Sequence, residues 1–395
     1  MNRLPAREAP RRILPAIVFS QFAATSLWFA GNAVLPELSG EWNLSAHAVG
    51  HVTSAVQLGF IVGTLVFAFF AIADRYSPRR IFLACAMLGA LGNACIALVP
   101  EGLGLLLALR FVTGFFLAGI YPIGMRIAAG WFERDLGRAI GFLVAALVLG
   151  TGFPHLLEAM GQELAWAGVL LLVSALAAGG GVLMFALVPD GPHLVKGTGF
   201  DPLAFAKIFG SREFRCSAFG YFGHMWELYA FWAFVPLLLA AHLGLAATAD
   251  ARISFWAFVV IGIGSVGCAV GGILSRRYGS ARIAFAQLAC SGICCLLSPL
   301  AVLAPTPLFL GFLVVWGITV VGDSPQFSAL NAATAPRALV GSALTIVNCI
   351  GFSITIVSIQ LLGIAATVIE PAWLFLLLAP GPALGLWRLR PLLRM

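Results

Sequence analysis

Apolar segments of about twenty residues or more recur along the entire chain and are separated by short polar connections. A helix needs about 20 apolar residues to cross the hydrocarbon core of a bilayer. Of the 395 residues, 61% are hydrophobic and only 10% are charged, and the mean hydropathy is +1.00. Soluble domains carry about 25% charged residues. The pattern therefore predicts an all-α polytopic membrane protein.

The hydropathy pattern predicts twelve membrane-spanning helices. The first follows Arg11 and Arg12 in the manner of a signal peptide, but it has no small-residue cleavage site before Pro36 and is interpreted as a retained span. The predicted spans lie near residues 13–36, 50–72, 81–99, 103–130, 138–158, 166–188, 214–240, 254–274, 283–303, 307–333, 338–367 and 371–387.

Basic residues are concentrated in alternate connections, which orients the chain by the positive-inside rule. Apart from Arg110 and Arg252, every lysine and arginine falls on one predicted side, including Arg3, Arg7, Arg134 and Lys196. This alternation predicts an even number of spans in a bacterial inner membrane, with both termini cytoplasmic. The net charge of +7 does not indicate nucleic-acid binding, because the basic residues lie between hydrophobic segments.

Eight cysteines fall within or at the ends of apolar segments, without the spacing of disulfide or metal sites. They are interpreted as small packing residues. His224 and Glu227 form a His-x-x-Glu pair, but no further metal ligands stand at a suitable spacing nearby. We therefore predict no metal and no cofactor.

Four short segments of the first half recur in the same order in the second half, which indicates internal duplication. The polar stretch between the halves contains a short amphipathic segment suited to the membrane surface. We predict a six-helix bundle over 1–188, a cytoplasmic linker with an interfacial helix over 189–213, and a second bundle over 214–395. The matching segments are Ala73–Ile81 with Ser275–Ile283, Gly119–Pro122 with Gly322–Pro325, Arg138-Ala139 with Arg337-Ala338, and Gly152-Phe153 with Gly351-Phe352.

Six plus six spans, with a basic loop after span two and its echo after span eight, resemble the major facilitator superfamily over essentially the whole chain. The first loop keeps the family's Ala-Asp-Arg and Arg-Arg elements, whereas the second keeps Arg and Gly but has Arg276 in place of the Asp. The resemblance implies two pseudo-symmetric bundles, and a loop contact that locks the inner gate when the cavity faces outward. The candidate gating residues are Asp74, Arg75, Arg79, Arg80, Arg277 and Gly279.

Three ionisable residues besides histidine lie deep in predicted spans, namely Arg110, Glu227 and Asp323. Burying each in lipid costs about 2.5–3.5 kcal/mol on insertion scales, so we expect them to face a cavity or each other. We interpret Glu227 as the main proton-coupling site, because a buried carboxyl can exchange a proton near neutral pH. Asp323 precedes Pro325, which frees the carbonyl of Val321 and predicts a kinked or broken span.

Arg110 either binds an anionic substrate or is a permanent counter-ion for one of the two carboxylates. The family resemblance implies that spans one, four, seven and ten line the cavity, and the polar candidates fall on these spans. The remaining candidates for substrate binding or proton coupling are His224, Trp28, Asn32, Trp226, Tyr229 and Gln326.

The leading hypothesis is a monomeric, proton-coupled secondary transporter that moves a small polar or anionic solute by alternating access and contacts membrane lipid. A proton-driven drug or metabolite exporter is the alternative, with aromatic residues forming a permissive pocket. A membrane sensor or enzyme is the third hypothesis. An enzyme would need a nucleophile–base set or a metal cluster, and no such set is evident in the sequence.

Overall fold

The computed structural model describes residues 10–45, 47–98, 102–132, 136–160, 165–194, 201, 204–245 and 250–394. These residues form helices joined by short turns, with no strand among them. The predictions made for Arg3, Arg7, Arg134 and Lys196 fall outside the described residues. The all-α fold predicted from hydropathy is confirmed.

Six spans precede the linker, and two of them are interrupted. Their bounds are Ile13–Thr25, Ala30–Ala33 and Leu35–Glu41 for span 1; Ala48–Phe69 for span 2; Pro78–Cys95 for span 3; Leu103–Leu117 and Tyr121–Trp131 for span 4; Leu136–Met160 for span 5; and Trp166–Leu187 for span 6. A short helix, Ile72–Arg75, lies between spans 2 and 3.

Six further spans follow a short helix, Ala204–Gly210, in the predicted linker. Their bounds are Arg212–Leu243 for span 7; Ala251–Gly262 and Gly264–Tyr278 for span 8; Ser280–Val302 for span 9; Thr306–Gly322 and Ser324–Thr334 for span 10; Val340–Ala365 for span 11; and Pro371–Leu374, Phe375–Leu378 and Pro380–Leu389 for span 12.

Ten of the described helices are long and apolar enough to cross a membrane. The remaining two predicted spans, spans 1 and 3, do not meet this criterion. Span 3 has only 18 residues, and its first turn carries Arg79 and Arg80, which lower its mean hydropathy. Span 1 was predicted as one continuous helix, but it is broken after Thr25, so its longest piece has 13 residues.

The predicted break at Pro325 is present, since span 10 stops at Gly322 and resumes at Ser324. Proline cannot donate to the carbonyl four residues before it. That carbonyl, of Val321, instead lies 3.4 Å from the thiol of Cys268 on span 8, which donates to it. The break is therefore satisfied by a side chain from a neighbouring helix, as a membrane interior requires.

The two halves pack their helices in the same pairs. Span 1 packs on spans 5 and 6, just as span 7 packs on spans 11 and 12, and the pairing of spans 2 and 4 recurs in spans 8 and 10. A Cβ on Gly114 would lie 2.0 Å from the carbonyl oxygen of Val56, and one on Gly317 would lie 2.1 Å from that of Val260. Each half therefore depends on a glycine at the same close helix crossing. The exact linker boundaries remain a prediction.

The halves touch at the end of the molecule opposite the arginine-rich loops. We call the end that carries these loops the basic end. At the opposite end, the Gln360 amide on span 11 donates to the Gly50 carbonyl at 3.0 Å and to the Ser54 hydroxyl at 2.8 Å on span 2. Spans 5 and 8 meet at Gly152 and Ile261. Nearer the basic end, a cavity of about 380 Å³ lies between these two spans.

Replacing Gly317 with Ala should destabilise the protein by about 1–3 kcal/mol, because the new methyl group meets backbone that cannot yield without moving span 8. Gly311→Ala in the same helix is the matched control, since a Cβ at Gly311 has no neighbour within 4 Å. Thermal unfolding in one detergent, followed by intrinsic fluorescence, measures both variants. Equal melting temperatures for the two variants would contradict this packing.

Candidate functional site

A cavity of about 100 Å³ lies between the two halves, where spans 4 and 5 face spans 7, 10 and 11. The first half contributes mainly apolar groups, including Met125 and Leu147. Among the described residues that line the cavity, none carries a charged side chain. Its polar and aromatic lining consists of Tyr121, Tyr221, Tyr229, Trp232, Phe352, Ser324, Ser328, Asn331 and Asn348.

Four rings, which we call the aromatic roof, close the cavity toward the opposite end. Trp28 stacks on Tyr229 and on Phe352, each at 5.7 Å between ring centroids, and Phe60 lies 4.5 Å from Phe352. These residues come from spans 1, 7, 11 and 2. The indole N–H of Trp28 is buried and has no hydrogen-bond partner among the described residues. The roof therefore joins both halves and keeps one unused donor.

Arg110 is fully buried on span 4 and holds the break in span 1. Its guanidinium donates to the carbonyl oxygens of Leu27, at 3.1 Å, and of Trp28, and to the side-chain oxygen of Asn93 at 3.2 Å. Gly31 leaves room for it, since a Cβ there would lie 2.9 Å from the Arg110 Nε. The charged fork thus satisfies backbone acceptors that the broken helix leaves free.

One of the two roles considered for Arg110 was that of a counter-ion for a carboxylate, and the part of the chain that the structure describes shows no such ion pair. No ion pair joins Arg110 to Glu227 or to Asp323 there. Arg110 is not among the residues that line the cavity either. In this conformation its contacts are those of a positioning residue for Trp28.

His224 and Asp323 form a buried pair beside the cavity. The Nδ1 of His224 lies 2.8 Å from the Oδ1 of Asp323, and both side chains are fully buried. The approach is within ion-pair distance, but neither nitrogen of His224 and neither carboxylate oxygen of Asp323 makes a hydrogen bond among the described residues. Asp323 is the hinge residue between the two pieces of span 10, and the next residue, Ser324, lines the cavity.

Glu227 lies near the middle of span 7 but points away from the cavity. Its carboxylate accepts hydrogen bonds from the Trp316 indole at 2.7 Å, the Ser291 hydroxyl at 2.9 Å and the Cys295 thiol at 3.3 Å. These donors belong to spans 9 and 10. His224 and Glu227 both contact span 10, His224 at Asp323 and Glu227 at Trp316, and Glu227 also contacts span 9. The structure therefore places Glu227 inside the second half rather than between the halves.

The other sequence candidates divide between the cavity region and other surroundings. Tyr229 lines the cavity, and the Asn32 amide donates to the Thr53 hydroxyl at 2.6 Å, which ties span 1 to span 2. Gln326 is buried but does not line the cavity. The Trp226 indole donates to the Leu377 carbonyl on span 12 at 3.1 Å, away from the cavity.

The candidate gating residues lie at the basic end. Asp74 pairs with Arg126 of span 4 at 2.6 Å, with both side chains partly exposed. The Arg79 guanidinium lies 5.1 Å from the ring centroid of Phe185. The remaining candidates are exposed at this end, namely Arg75, Arg80, Arg277 and Gly279.

Sequence reasoning missed several residues that complete the site. Tyr121 was visible next to Pro122 in the repeated segment, and Tyr221, whose hydroxyl donates to Asn348 at 3.2 Å, lies one turn before His224. No local signal marks Asn93, which meets Arg110 from span 3. Its role depends on a contact between helices that the sequence does not specify.

Twelve paired helices around a polar, aromatic cavity define a membrane protein of the transporter class. The sequence profile described as "Major Facilitator Superfamily" matches residues 17–359. The chain belongs to this family, whose members are transporters rather than enzymes.

Similar proteins agree with this assignment. The Escherichia coli (strain K12) protein AraJ, named as a transporter, is 26% identical over 281 residues, which cover 69% of this chain and 68% of AraJ. The 4-hydroxybenzoate transporter PcaK of Pseudomonas aeruginosa is 28% identical over 176 residues, 41% of this chain and 36% of PcaK. The crystal structure of the nucleoside transporter NupG is 14% identical with a TM-score of 0.71, covering 96% of this chain and 99% of NupG. That likeness shows the fold.

Replacing Arg110 with Lys should destabilise the protein by about 1.5–3 kcal/mol, because an ammonium cannot reproduce the fork that meets two carbonyls and an amide. Arg126→Lys on the same span is the control. Its pair with Asp74 is partly exposed, so the expected loss is about 0–1 kcal/mol. Thermal unfolding in detergent compares the two, and an equal loss would argue against the role assigned to Arg110.

Proposed function

We propose that this protein is a secondary transporter that moves a small polar solute across the membrane by alternating access. The observation that carries the proposal is the cavity between the halves, which is lined by hydroxyl, amide and aromatic groups. Hydrogen-bonding groups on an aromatic surface suit a small solute with hydroxyl groups or a ring. The halves are hydrogen-bonded at the opposite end, and a cavity lies between spans 5 and 8 nearer the basic end. We interpret this arrangement as the state that opens toward the basic end.

An organic anion is the second candidate for the solute. One relative, PcaK, is named as a transporter of 4-hydroxybenzoate, an aromatic carboxylate whose ring would suit the aromatic roof. The buried cation nearest the roof is Arg110, whose guanidinium contacts the Trp28 backbone. Binding an anion directly would require Arg110 to leave these carbonyls. A neutral solute requires no such change, and for this reason we rank it first.

We propose that the His224–Asp323 pair couples transport to proton movement. A carboxyl and an imidazole that are buried in contact form a pair that can take up or release a proton when water reaches it. The titratable groups that neighbour the pair are Cys268 on span 8 and Glu227 and Tyr221 on span 7. Because Asp323 is the hinge of span 10, a change in its charge acts on the helix that carries Ser324. Glu227 as the main coupling acid stays a prediction that the same experiment tests.

We propose a gating role for the loop that contains Asp74. In this conformation the carboxylate pairs with Arg126 within the first half. Charged groups from the second half stand across the gap, among them Arg276 in the cavity between spans 5 and 8. Movement of the halves toward each other would bring these loops together and offer Asp74 new partners.

We also propose that the basic end faces the cytoplasm of a bacterial cell and that the protein lies in the inner membrane as a monomer. The concentration of arginines in alternate connections supports this orientation by the positive-inside rule. A reporter enzyme fused to the C-terminus measures the orientation. Activity of a reporter that works only outside the cytoplasm would contradict a cytoplasmic C-terminus. This orientation is compatible with both uptake and export of the solute. A proton-driven exporter therefore remains the alternative function.

Asp323→Asn should abolish concentrative transport driven by a pH gradient while leaving solute exchange at equal pH largely intact. The amide keeps the shape of the side chain but cannot carry the proton. The measurement is transport into proteoliposomes of a panel of neutral hydroxylated solutes and monocarboxylates, 4-hydroxybenzoate among them, under an imposed pH gradient. We expect at least a ten-fold loss of gradient-driven accumulation.

The matched control is Glu227→Gln, which removes the same charge from a carboxyl outside the cavity and should keep gradient-driven accumulation. Both variants are first compared with the unmodified protein for elution as a single species in detergent. If Glu227→Gln lost coupling and Asp323→Asn kept it, Glu227 would be the coupling acid. A pH gradient without effect on the unmodified protein would refute proton coupling altogether.

A cysteine pair at Gly50 and Gly363 should lock the opposite end. A Cβ on Gly363 would lie 3.7 Å from the Gly50 Cα, a separation compatible with a disulfide. If the halves must part here in each cycle, oxidation should stop transport and a reductant should restore it. Each single cysteine variant, oxidised in the same way, is the control for the eight native cysteines. Undiminished transport by the fully oxidised double variant would exclude alternating access at this contact.

The same pair tests the gate. If Asp74 holds the basic end closed in the other state, Asp74→Asn should favour the state seen here and raise the rate at which the disulfide forms. An unchanged rate would remove Asp74 from the gating mechanism.

A further inference from the structure

A second cavity, of about 360 Å³, lies on the membrane-facing side of spans 7, 11 and 12 and is lined entirely by apolar residues. We call it the lateral groove. Its volume is in the range of small-ligand sites, but it is separate from the central cavity and shares no lining residue with it. Its walls include Phe222, Trp226, Ile354, Val357, Pro380 and Leu384.

The groove forms because span 12 is broken beside it, where Pro380 and Gly381 have small side chains or none. Span 12 passes from Phe375–Leu378 to Pro380–Leu389, and Pro380 and Gly381 form the floor. Trp226 packs directly on Gly381, where a Cβ would lie 2.6 Å from the indole ring. The Trp226 N–H donates to the Leu377 carbonyl, so the indole is held as a fixed wall. The tryptophan therefore shapes this groove rather than the substrate cavity.

The Arg388 side chain lies at the basic end of the groove. The Arg388 guanidinium lies 5.2 Å from the ring centroid of Phe219, which is itself a groove wall, and 4.5 Å from that of Trp387. Stacking occupies the faces of the guanidinium and leaves its N–H edge for an oxyanion. Among the described residues, no carboxylate lies within ion-pair distance of Arg388.

The lateral groove and the Arg388 guanidinium are arranged to fit an amphipathic ligand whose long axis is parallel to the membrane normal. From Pro380 to Arg388 a helix rises about 12 Å, so the groove leads from the membrane interior toward the surface where headgroups lie. Basic sites between spans at a cytoplasmic surface bind anionic lipid headgroups. We propose that the lateral groove binds one acyl chain of an anionic phospholipid whose phosphate contacts Arg388.

The test is native mass spectrometry of the delipidated full-length protein, titrated with phosphatidylglycerol or with phosphatidylcholine of identical acyl chains. Arg388→Gln should weaken phosphatidylglycerol binding about five-fold, the factor expected for one basic residue near a headgroup. Arg337→Gln removes the same charge from an exposed position in the loop before span 11 and should change binding little. Phosphatidylcholine should bind the unmodified protein more weakly than phosphatidylglycerol.

A second pair of variants tests the acyl chain. Leu384→Trp fills the groove and should lower binding of the lipid, whereas Leu300→Trp adds the same ring at an exposed position on span 9 and should not. Leu384 and Leu300 are 61% and 67% exposed, so both variants should fold. Equal losses for Arg388→Gln and Arg337→Gln, equal affinity for the two lipids, or undiminished binding by Leu384→Trp would each overturn the proposal.

Discussion

The contact between Arg110 and the broken turn of span 1 is the interaction on which the centre of this protein depends. A backbone carbonyl without a hydrogen-bond donor is energetically costly in hydrocarbon. A helix that ends at Thr25 leaves several backbone carbonyls without an intrahelical donor. The guanidinium supplies donors to the Leu27 and Trp28 carbonyls, so the break can persist at membrane depth. The break in turn places Trp28 across the interface, where it stacks on rings of the second half. A charge that looks like a binding group is here used to hold backbone.

The sequence predicts the parts of this fold that depend on local composition. Long apolar segments predicted the spans, and Pro325 predicted the break in span 10, because a proline acts on the carbonyl four residues before it. The break in span 1 was not predicted, since it depends on a residue 82 positions further along the chain. Hydropathy cannot detect such a contact, because it averages over neighbours in sequence.

Because the sequence does not specify contacts between helices, it identified the buried ionisable residues but not the role of each. Their cost in lipid marked Arg110, Glu227 and Asp323 as inward-facing, and all three are buried. His224 and Glu227 are one turn apart on span 7, and both contact span 10, but at different levels. Ser291, Cys295 and Trp316 enclose the glutamate, whereas the histidine meets the hinge of span 10. Which acid borders the cavity is decided by neighbouring helices that no spacing rule specifies.

This distribution of charge has a consequence for how solute and proton would communicate in the proposed mechanism. The cavity lining that the structure describes is uncharged, so the solute and the His224–Asp323 pair need not compete for one group. They are joined instead through backbone, since Asp323 ends one helix and Ser324, which lines the cavity, begins the next. The Val321 carbonyl on the other side of the hinge is held by Cys268 of span 8, the span that also meets span 5 of the first half. A change in charge at the hinge can therefore reach both the solute and the contact between the halves through rigid, packed helices.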